Sequence, residues 1–316
     1  MRKRTKILAI FLALVLLLPM SLTAGAQGEA SLPFADSAFF EMGDYSIHYR
    51  FQPAAAEFQG RIAFLHGFLA STCEWEPMVA ILTAAGYDCL LIDLPGFGYS
   101  TRETAKVAPV PREDLVAALM QELAPDGQWV LGGHSMGGGA VLTVVNKYPQ
   151  LISAAMLYAP IGDFSNWGSN HSDSYTTFLG KMMNGFFRSL VNLVATPMIS
   201  SWLKQGSGFD KDYDLDGKIL EPLRIENTGM GYLFMMKRGT PIDFEVTKQL
   251  EMPMLLCVAE KDEAVENDGD TAILIKNSMP PQTEYVMVMD ANHYFVELKA
   301  DEVAAITLDF LAENNL

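Results

Sequence analysis

Apolar residues fall along this chain in short runs, and the runs alternate with stretches of helical spacing. From Phe39 to Phe51 hydrophobic and polar positions alternate around Gly43-Asp44, which predicts a β-hairpin. Arg61 to Leu65 and Asp88 to Asp93 are mostly apolar, as strands buried on both faces are. The first ends at His66-Gly67 and the second at Leu94-Pro95-Gly96-Phe97-Gly98. Helices are predicted from Trp75 to Ala85, closed by Gly86, and from Arg112 to Leu123. A strand follows from Gln128 to Leu131, then a helix from Gly137 to Tyr148, stopped by Pro149. Ile152 to Tyr158, Met254 to Ala259 and Glu284 to Met289 predict three more strands, and Ala300 to Asn314 a closing helix. Short apolar strands alternating with helices predict an α/β fold, a mostly parallel sheet with helices on both faces.

Two segments break that rhythm. From Ile161 to Gln249 no strand candidate appears, and the stretch is helical, rich in Phe, Trp, Tyr and Met, and interrupted by glycine and polar runs. It reads as an insertion between two strands, which divides the chain into a first core part (27–160), a helical cap (161–249) and a second core part (250–316). The other segment is the N-terminus. Arg2, Lys3, Arg4 and Lys6 precede an apolar run from Ile7 to Leu18, broken by Pro19. Ala24-Gly25-Ala26 then offers the small-x-small pattern of signal-peptidase sites. The run is shorter than a bilayer span, so residues 1–26 are expected to be a cleaved export signal, with an uncleaved membrane anchor as the alternative.

Half of the 316 residues are hydrophobic, ample for a large core. The net charge of −16 becomes −20 once the four basic leader residues are removed. Such a surface repels nucleic acid and anionic membranes. Three cysteines, Cys73, Cys89 and Cys257, are too few and too odd in number for a disulfide framework, and no Cys/His metal spacing appears.

The chemistry is concentrated in Val130-Leu-Gly-Gly-His-Ser-Met-Gly-Gly-Gly-Ala140. Glycine in a regular element costs about 1 kcal/mol relative to alanine, so the cluster needs a reason. A strand that turns abruptly into a helix supplies one, because the positions two before and two after the apex, Gly133 and Gly137, have no room for a side chain. Ser135 at the apex is held out above the carboxyl edge of the sheet, where open α/β folds bind ligands. It is the candidate nucleophile. The glycines lack the Gly-Lys-[Ser/Thr] of a phosphate loop, and Gly96-Phe-Gly98 lacks the third glycine of a dinucleotide site.

A serine hydroxyl needs a base. Of five histidines, His48 lies in the early hairpin, His171 in the insertion, His66 at a turn, and His134 beside the serine but facing around the turn. His293, in Asp290-Ala-Asn-His-Tyr-Phe295, follows the last strand at the same sheet edge and is the expected base. A carboxylate must orient it. Asp262, after the strand ending at Ala259, is the first choice, and Asp163, after the strand following the elbow, is the competitor. Glu260 and Glu263 read as surface charges. Oxyanion donors are expected from the backbone N–H groups of Met136, at the helix start, and Phe68, after His66-Gly67.

The motifs "FLHGFLAS", "LIDLPGFGYS", "GGHSMGGGA", "CVAEKDEAV" and "DANHYF", in this order and spacing, resemble the α/β-hydrolase superfamily, in particular small esterase and lipase-like members with a helical cap. The resemblance runs from about Phe39 to Leu316 and is weakest over the cap. It implies a cofactor-free hydrolase with Ser135 as nucleophile, Asp262 as acid and His293 as base. Ser135 speaks against the relatives that use an aspartate nucleophile. The HGGG oxyanion loop of the hormone-sensitive-lipase branch is absent, as are the elbow tryptophan and charged loop of proline iminopeptidases.

Phe164, Trp167, Phe178, Met182, Met183, Phe186 and Phe187 fall near helical spacing in the insertion, and most of them serve to pack it. No arginine pair suited to a carboxylate or phosphate is evident, so the expected substrate is a small uncharged ester with an apolar group. Asp212-x-Asp214-x-Asp216-Gly217 resembles the start of a calcium loop, but Leu223 stands where the bidentate Glu should be, and an exposed acidic turn fits as well. Two function classes remain open on sequence alone. One is a secreted or periplasmic serine esterase or lipase. The other is a fold relative with a different activity (amidase or peptidase, C–C hydrolase, perhydrolase) or a non-catalytic ligand binder.

Overall fold

The computed structural model describes residues 32–161, 171–262 and 275–316. The leader, Asp163, Phe164, Trp167 and Glu263 lie outside the described residues. Strands β1 (Ser37–Met42) and β2 (Tyr45–Gln52) form the expected hairpin around Gly43-Asp44. The rest of the sheet comprises β3 (Gly60–Leu65), β4 (Tyr87–Ile92), β5 (Trp129–His134), β6 (Ile152–Tyr158), β7 (Met254–Ala259) and β8 (Glu284–Val288). Among the described residues the sheet has eight strands in the order β1-β2-β4-β3-β5-β6-β7-β8. β1, β2 and β4 pair antiparallel, and every pair from β4 to β8 is parallel.

Side chains of a strand alternate between faces, and here both faces are buried. On one side Ala63, Leu65, Leu90, Ile92, Leu131 and Leu157 pack with Leu115 and Leu119 of α2 (Arg112–Leu123) and Val141 and Val145 of α3 (Met136–Lys147). On the other, Ile62, Phe64, Leu91 and Met156 pack with Met78 and Leu82 of α1 (Glu76–Ala84) and Val303 and Phe310 of the C-terminal helix Ala300–Glu313. This double burial is why strands 61–65 and 88–93 are apolar without alternation. Cys73, Cys89 and Cys257 are free, buried thiols, and burial pushes each up to about 12.

Two boundaries differ from expectation. The helix predicted from Trp75 opens as a 3-10 turn, Thr72–Trp75, and becomes α-helical at Glu76, with proline in its first turn. Strand β5 does not stop at Leu131 but runs on through Gly132, Gly133 and His134. Glycine weakens a strand, yet these pair with Phe64, Leu65, Met156 and Leu157 on both sides, and a Cβ on Gly132 would sit 2.8 Å from the Phe64 ring. The neighbours fill the space that the glycines leave.

Between β6 and β7 no strand occurs among the described residues. The chain forms α4 (Asp173–Val194), α5 (Pro197–Ser207), α6 (Thr228–Arg238) and shorter turns. Ser172 caps α4 by accepting the Tyr175 N–H, and Gly208 ends α5 in the left-handed conformation. No described helix is long and apolar enough to cross a membrane.

Candidate active site

The turn from β5 to α3 is as tight as the glycine spacing requires. Ser135 has φ 52° and ψ −118°, a conformation that costs a non-glycine residue about 1–3 kcal/mol. The surroundings enforce it. The Ser135 N–H donates to the Tyr158 carbonyl at 2.9 Å, and the Ser135 carbonyl accepts from Gly138 and Ile161, each at 3.0 Å. A Cβ on Gly133 would lie 2.4 Å from the Gly137 carbonyl oxygen, and one on Gly137 would lie 2.1 Å from that of Leu65. No larger residue fits at either place.

His293 reaches the serine from the loop after β8. Its Nε2 lies 3.0 Å from Ser135 Oγ, and its Nδ1 lies 2.9 and 3.0 Å from the two Asp262 carboxylate oxygens. Ser135 and Asp262 are buried, while the His293 side chain is 18% exposed. The two loops are tied together by backbone bonds, Glu260 N–H to the Val288 carbonyl and Lys261 N–H to that of Ala291. Glu260 itself turns away and accepts the Asp290 N–H. Asp163, the alternative acid, lies outside the described residues. The hydrogen-bonded series Ser135–His293–Asp262 is chemically able to move a proton off the serine as the imidazole becomes charged against a carboxylate.

Of the two residues expected to supply oxyanion donors, Met136 follows the serine in sequence and Phe68 follows a glycine that packs against it. Met136 is the first residue of α3. Gly67, which precedes Phe68, packs so close that a Cβ on it would lie 3.4 Å from Ser135 Cβ. The Phe68 ring stacks edge-on against Phe97 and tilts against Tyr232, and Tyr232 also meets Phe97 and Phe187. Aromatic residues of the core and of the helical segment therefore meet beside the serine loop.

The other histidines are structural or supportive. His48 is buried between Asp93 and Ser37, at 2.6 and 2.7 Å. Burial would raise the Asp93 carboxyl, but bonds from His48 and the Tyr99 N–H hold it below the usual range. His66 donates to the Gly67 carbonyl and accepts the Leu94 N–H. His171 stacks on Tyr175. His134, expected to point around the turn from the serine, has a partner on each ring nitrogen. Its Nδ1 lies 2.7 Å from Glu74 Oε1 and its Nε2 lies 2.9 Å from the His293 carbonyl oxygen. Glu74 went unremarked in the sequence. A histidine ending an apolar strand was the available signal, since a buried imidazole must find partners.

The acidic turn offers no grouped ligands. Asp214 accepts the Gly217 N–H and Asp216 pairs with Arg224. Among the described residues no three His, Cys, Asp or Glu side chains are grouped as a metal site.

A serine on a strained elbow at the carboxyl edge of a mostly parallel sheet, backed by an imidazole and a carboxylate, defines a class of α/β enzyme. The chain belongs to the alpha/beta hydrolase fold family, whose profile matches residues 60–300. It is 31% identical over 98 residues to an esterase of Mycobacterium tuberculosis, which covers 31% of this chain and 32% of that protein. To lipase 1 of Psychrobacter immobilis it is 24% identical over 251 residues, 77% of this chain and 74% of the lipase. The chain spans about a third of the length of several curated relatives it matches, the esterase among them. Among solved structures, the enol-lactonase of Burkholderia xenovorans is similar with a TM-score of 0.64 at 17% identity, covering 87% of this chain and 100% of that one. A likeness at that identity carries the fold. Esterases and a lipase are thus among the proteins this chain is similar to.

Proposed function

We propose that this protein is an exported serine hydrolase that cleaves carboxylic esters through an acyl-enzyme on Ser135. The observation that carries the reading is the unbroken hydrogen-bond series from Ser135 Oγ through both His293 nitrogens to Asp262. Ser135 Oγ attacks the ester carbonyl carbon as its proton passes to His293 Nε2. Asp262 holds the Nδ1–H and stabilises the imidazolium. The tetrahedral oxyanion accepts the N–H groups of Met136 and Phe68. The C–O bond then breaks, His293 returns the proton to the leaving alcohol, and the acyl group stays on Ser135. Water, deprotonated by His293, attacks the acyl carbon, and His293 returns that proton to Ser135 Oγ as the acyl–oxygen bond breaks and the acid leaves.

The helical segment 161–249 acts as a lid over this site. Support comes from Phe187 and Tyr232 of that segment, which stack beside the Phe68 turn. An apolar wall of this kind favours an uncharged ester with an apolar acyl or alcohol group. The basic, apolar and small-residue order of residues 1–26 supports export to the periplasm or beyond. A series of neutral esters with lengthening acyl chains tests the substrate reading. Each buried methylene contributes roughly 0.8 kcal/mol, so kcat/KM should climb along the series by up to about fourfold per carbon before levelling off. A preference for acetate or for charged acyl groups would contradict it.

A further inference from the structure

Beneath the Ser135–His293–Asp262 series lies a second buried chain that ester cleavage, as read above, does not use. Glu74 sits on the 3-10 turn Thr72–Trp75. One of its oxygens accepts the Gly67 N–H at 2.8 Å, and the other faces His134 Nδ1 at 2.7 Å. His134 Nε2 stands 2.9 Å from the backbone carbonyl oxygen of His293. Glu74 and His134 are both buried, with side chains 5% and 3% exposed.

Both nitrogens of His134 thus face oxygens, and the carbonyl can only accept. A neutral imidazole has one N–H, so an ionised Glu74 and the carbonyl are both satisfied only by an imidazolium. His66 shows the contrast, since its two nitrogens face one acceptor and one donor, the arrangement of a neutral ring. A proton on Glu74 instead of His134 would preserve the same distances. It is opposed by the balance of charges. Burial would push Glu74 up and His134 down, but each is overruled by the other's charge and hydrogen bond, leaving Glu74 below and His134 above their ordinary ranges. The remaining charged neighbours do not replace this pair. Glu297, with Tyr213 donating to it at 2.8 Å, is raised to about 8 by burial and by Glu74, against the lowering charge of Lys218.

We propose that Glu74 and His134 form a buried, ion-paired strut, with His134 kept as an imidazolium, that fixes the Gly67-Phe68 turn and the His293 loop relative to each other beneath Ser135. Both are positioning residues. Their effect on rate rests on the reading of His293 as the base, whereas the protonation state of His134 stands apart from it. The strut holds below the raised titration of His134 and is lost as pH rises through it. In Glu74→Gln the amide N–H can donate to Nδ1 and the amide oxygen can accept from Gly67, so a neutral His134 still donates to the His293 carbonyl. In Glu74→Leu the ring loses its Nδ1 partner and the Gly67 N–H loses its acceptor.

Nitrogen-15 NMR of the His134 ring, together with the kinetics of the two Glu74 variants on a neutral ester, tests this. The wild-type ring should carry protons on both nitrogens well above the ordinary histidine range of about 6.5, and the Gln variant only on Nε2. A misplacement of about 1 Å costs on the order of 100-fold, so Glu74→Leu should lower kcat by about 10–100-fold with KM within about threefold. Glu74→Gln should recover at least about tenfold of a full loss and should lack the wild-type alkaline fall in kcat. A singly protonated wild-type ring at pH 7 overturns the charged strut, and equal kcat in the two variants overturns the positioning role. Fluorophosphonate labelling of the wild type separates failure of the serine-hydrolase reading, because the NMR result decides the strut whether or not Ser135 reacts. It also decides it if the Leu variant does not fold.

Discussion

In β5 every one of six residues is buried, whereas in α4, 22 residues long, only Thr176, Gly180 and Val191 are. None of α5 is buried, and Phe178, Met182, Met198 and Trp202 stand open on these helices. The sheet edge that carries Ser135 is over-determined, with backbone bonds, glycine contacts and two packed faces imposing one geometry. The helical segment instead hangs on its inner part. α6 is buried along most of its length, and Gly180 of α4 packs so closely on it that a Cβ would meet Met230 at 2.7 Å. Arg102 pins the same region to the core, donating to the Phe97, Gly98 and Ser100 carbonyls on one side and to Thr228 Oγ1 and the Pro222 carbonyl on the other. Few buried contacts mean low local stability, so opening of the outer helices should cost far less than disturbing the elbow. On the proposed reading, the precise part would be the reacting centre and the loosely held part its cover.

The sharpest break in this contrast is the carboxylate. Asp262→Asn should leave the fold intact yet cut kcat by roughly 10⁴, through the wrong imidazole tautomer. Asp163→Asn, at the start of the helical segment, should stay within about tenfold. Steady-state rates of the two variants check this, and the reverse order would move the acid to Asp163.

Glycines sharpen the comparison in stability. Gly137→Ala drives a methyl group into the Leu65 carbonyl and should destabilise by about 3 kcal/mol. Gly185→Ala, in α4 with nothing within 4 Å of its Cβ, should stabilise by about 0.5–1 kcal/mol through helix propensity. Urea midpoints of the two variants should therefore move in opposite directions.

A smaller effect belongs to Glu297, which links the two regions through Tyr213. Its carboxyl is raised to about 8, so folding holds a proton that the unfolded chain releases, and stability falls as pH rises from the ordinary glutamate range toward 8. Glu297→Gln removes that loss and keeps an acceptor for Tyr213. Its gain in Tm should be larger at pH 8 than at pH 5, and equal gains at both would show that the carboxyl is not held neutral.

The parts of the molecule legible in the sequence were those fixed by local pattern. Continuous apolar runs marked β3 and β4 because both their faces are covered, and the Gly133-x-Ser135-x-Gly137 spacing marked the elbow because each glycine answers a backbone contact. Asp262 and His293 were read at the shared edge from the strands that each of them follows. What stayed hidden depends on residues distant in sequence. Glu74 gave no signal, because its partners His134 and Gly67 come together only when β3, β5 and the turn before α1 pack. The Phe68–Phe97–Tyr232–Phe187 stack joins four separate segments. The end of β5 was misplaced because glycine argues against a strand locally, whereas Phe64 and Met156 on either side make room for it.

Mass-spectrometric mapping after treatment with a fluorophosphonate tests the central claim most directly, since the probe bonds covalently to an activated serine. The wild-type protein should carry a single adduct on Ser135. Ser135→Ala should fold normally, take no label and lose about three or more decades of ester-hydrolysis rate. Full labelling of Ser135→Ala, or an unlabelled Ser135 in a folded protein that still cleaves esters, would contradict a serine nucleophile at this elbow.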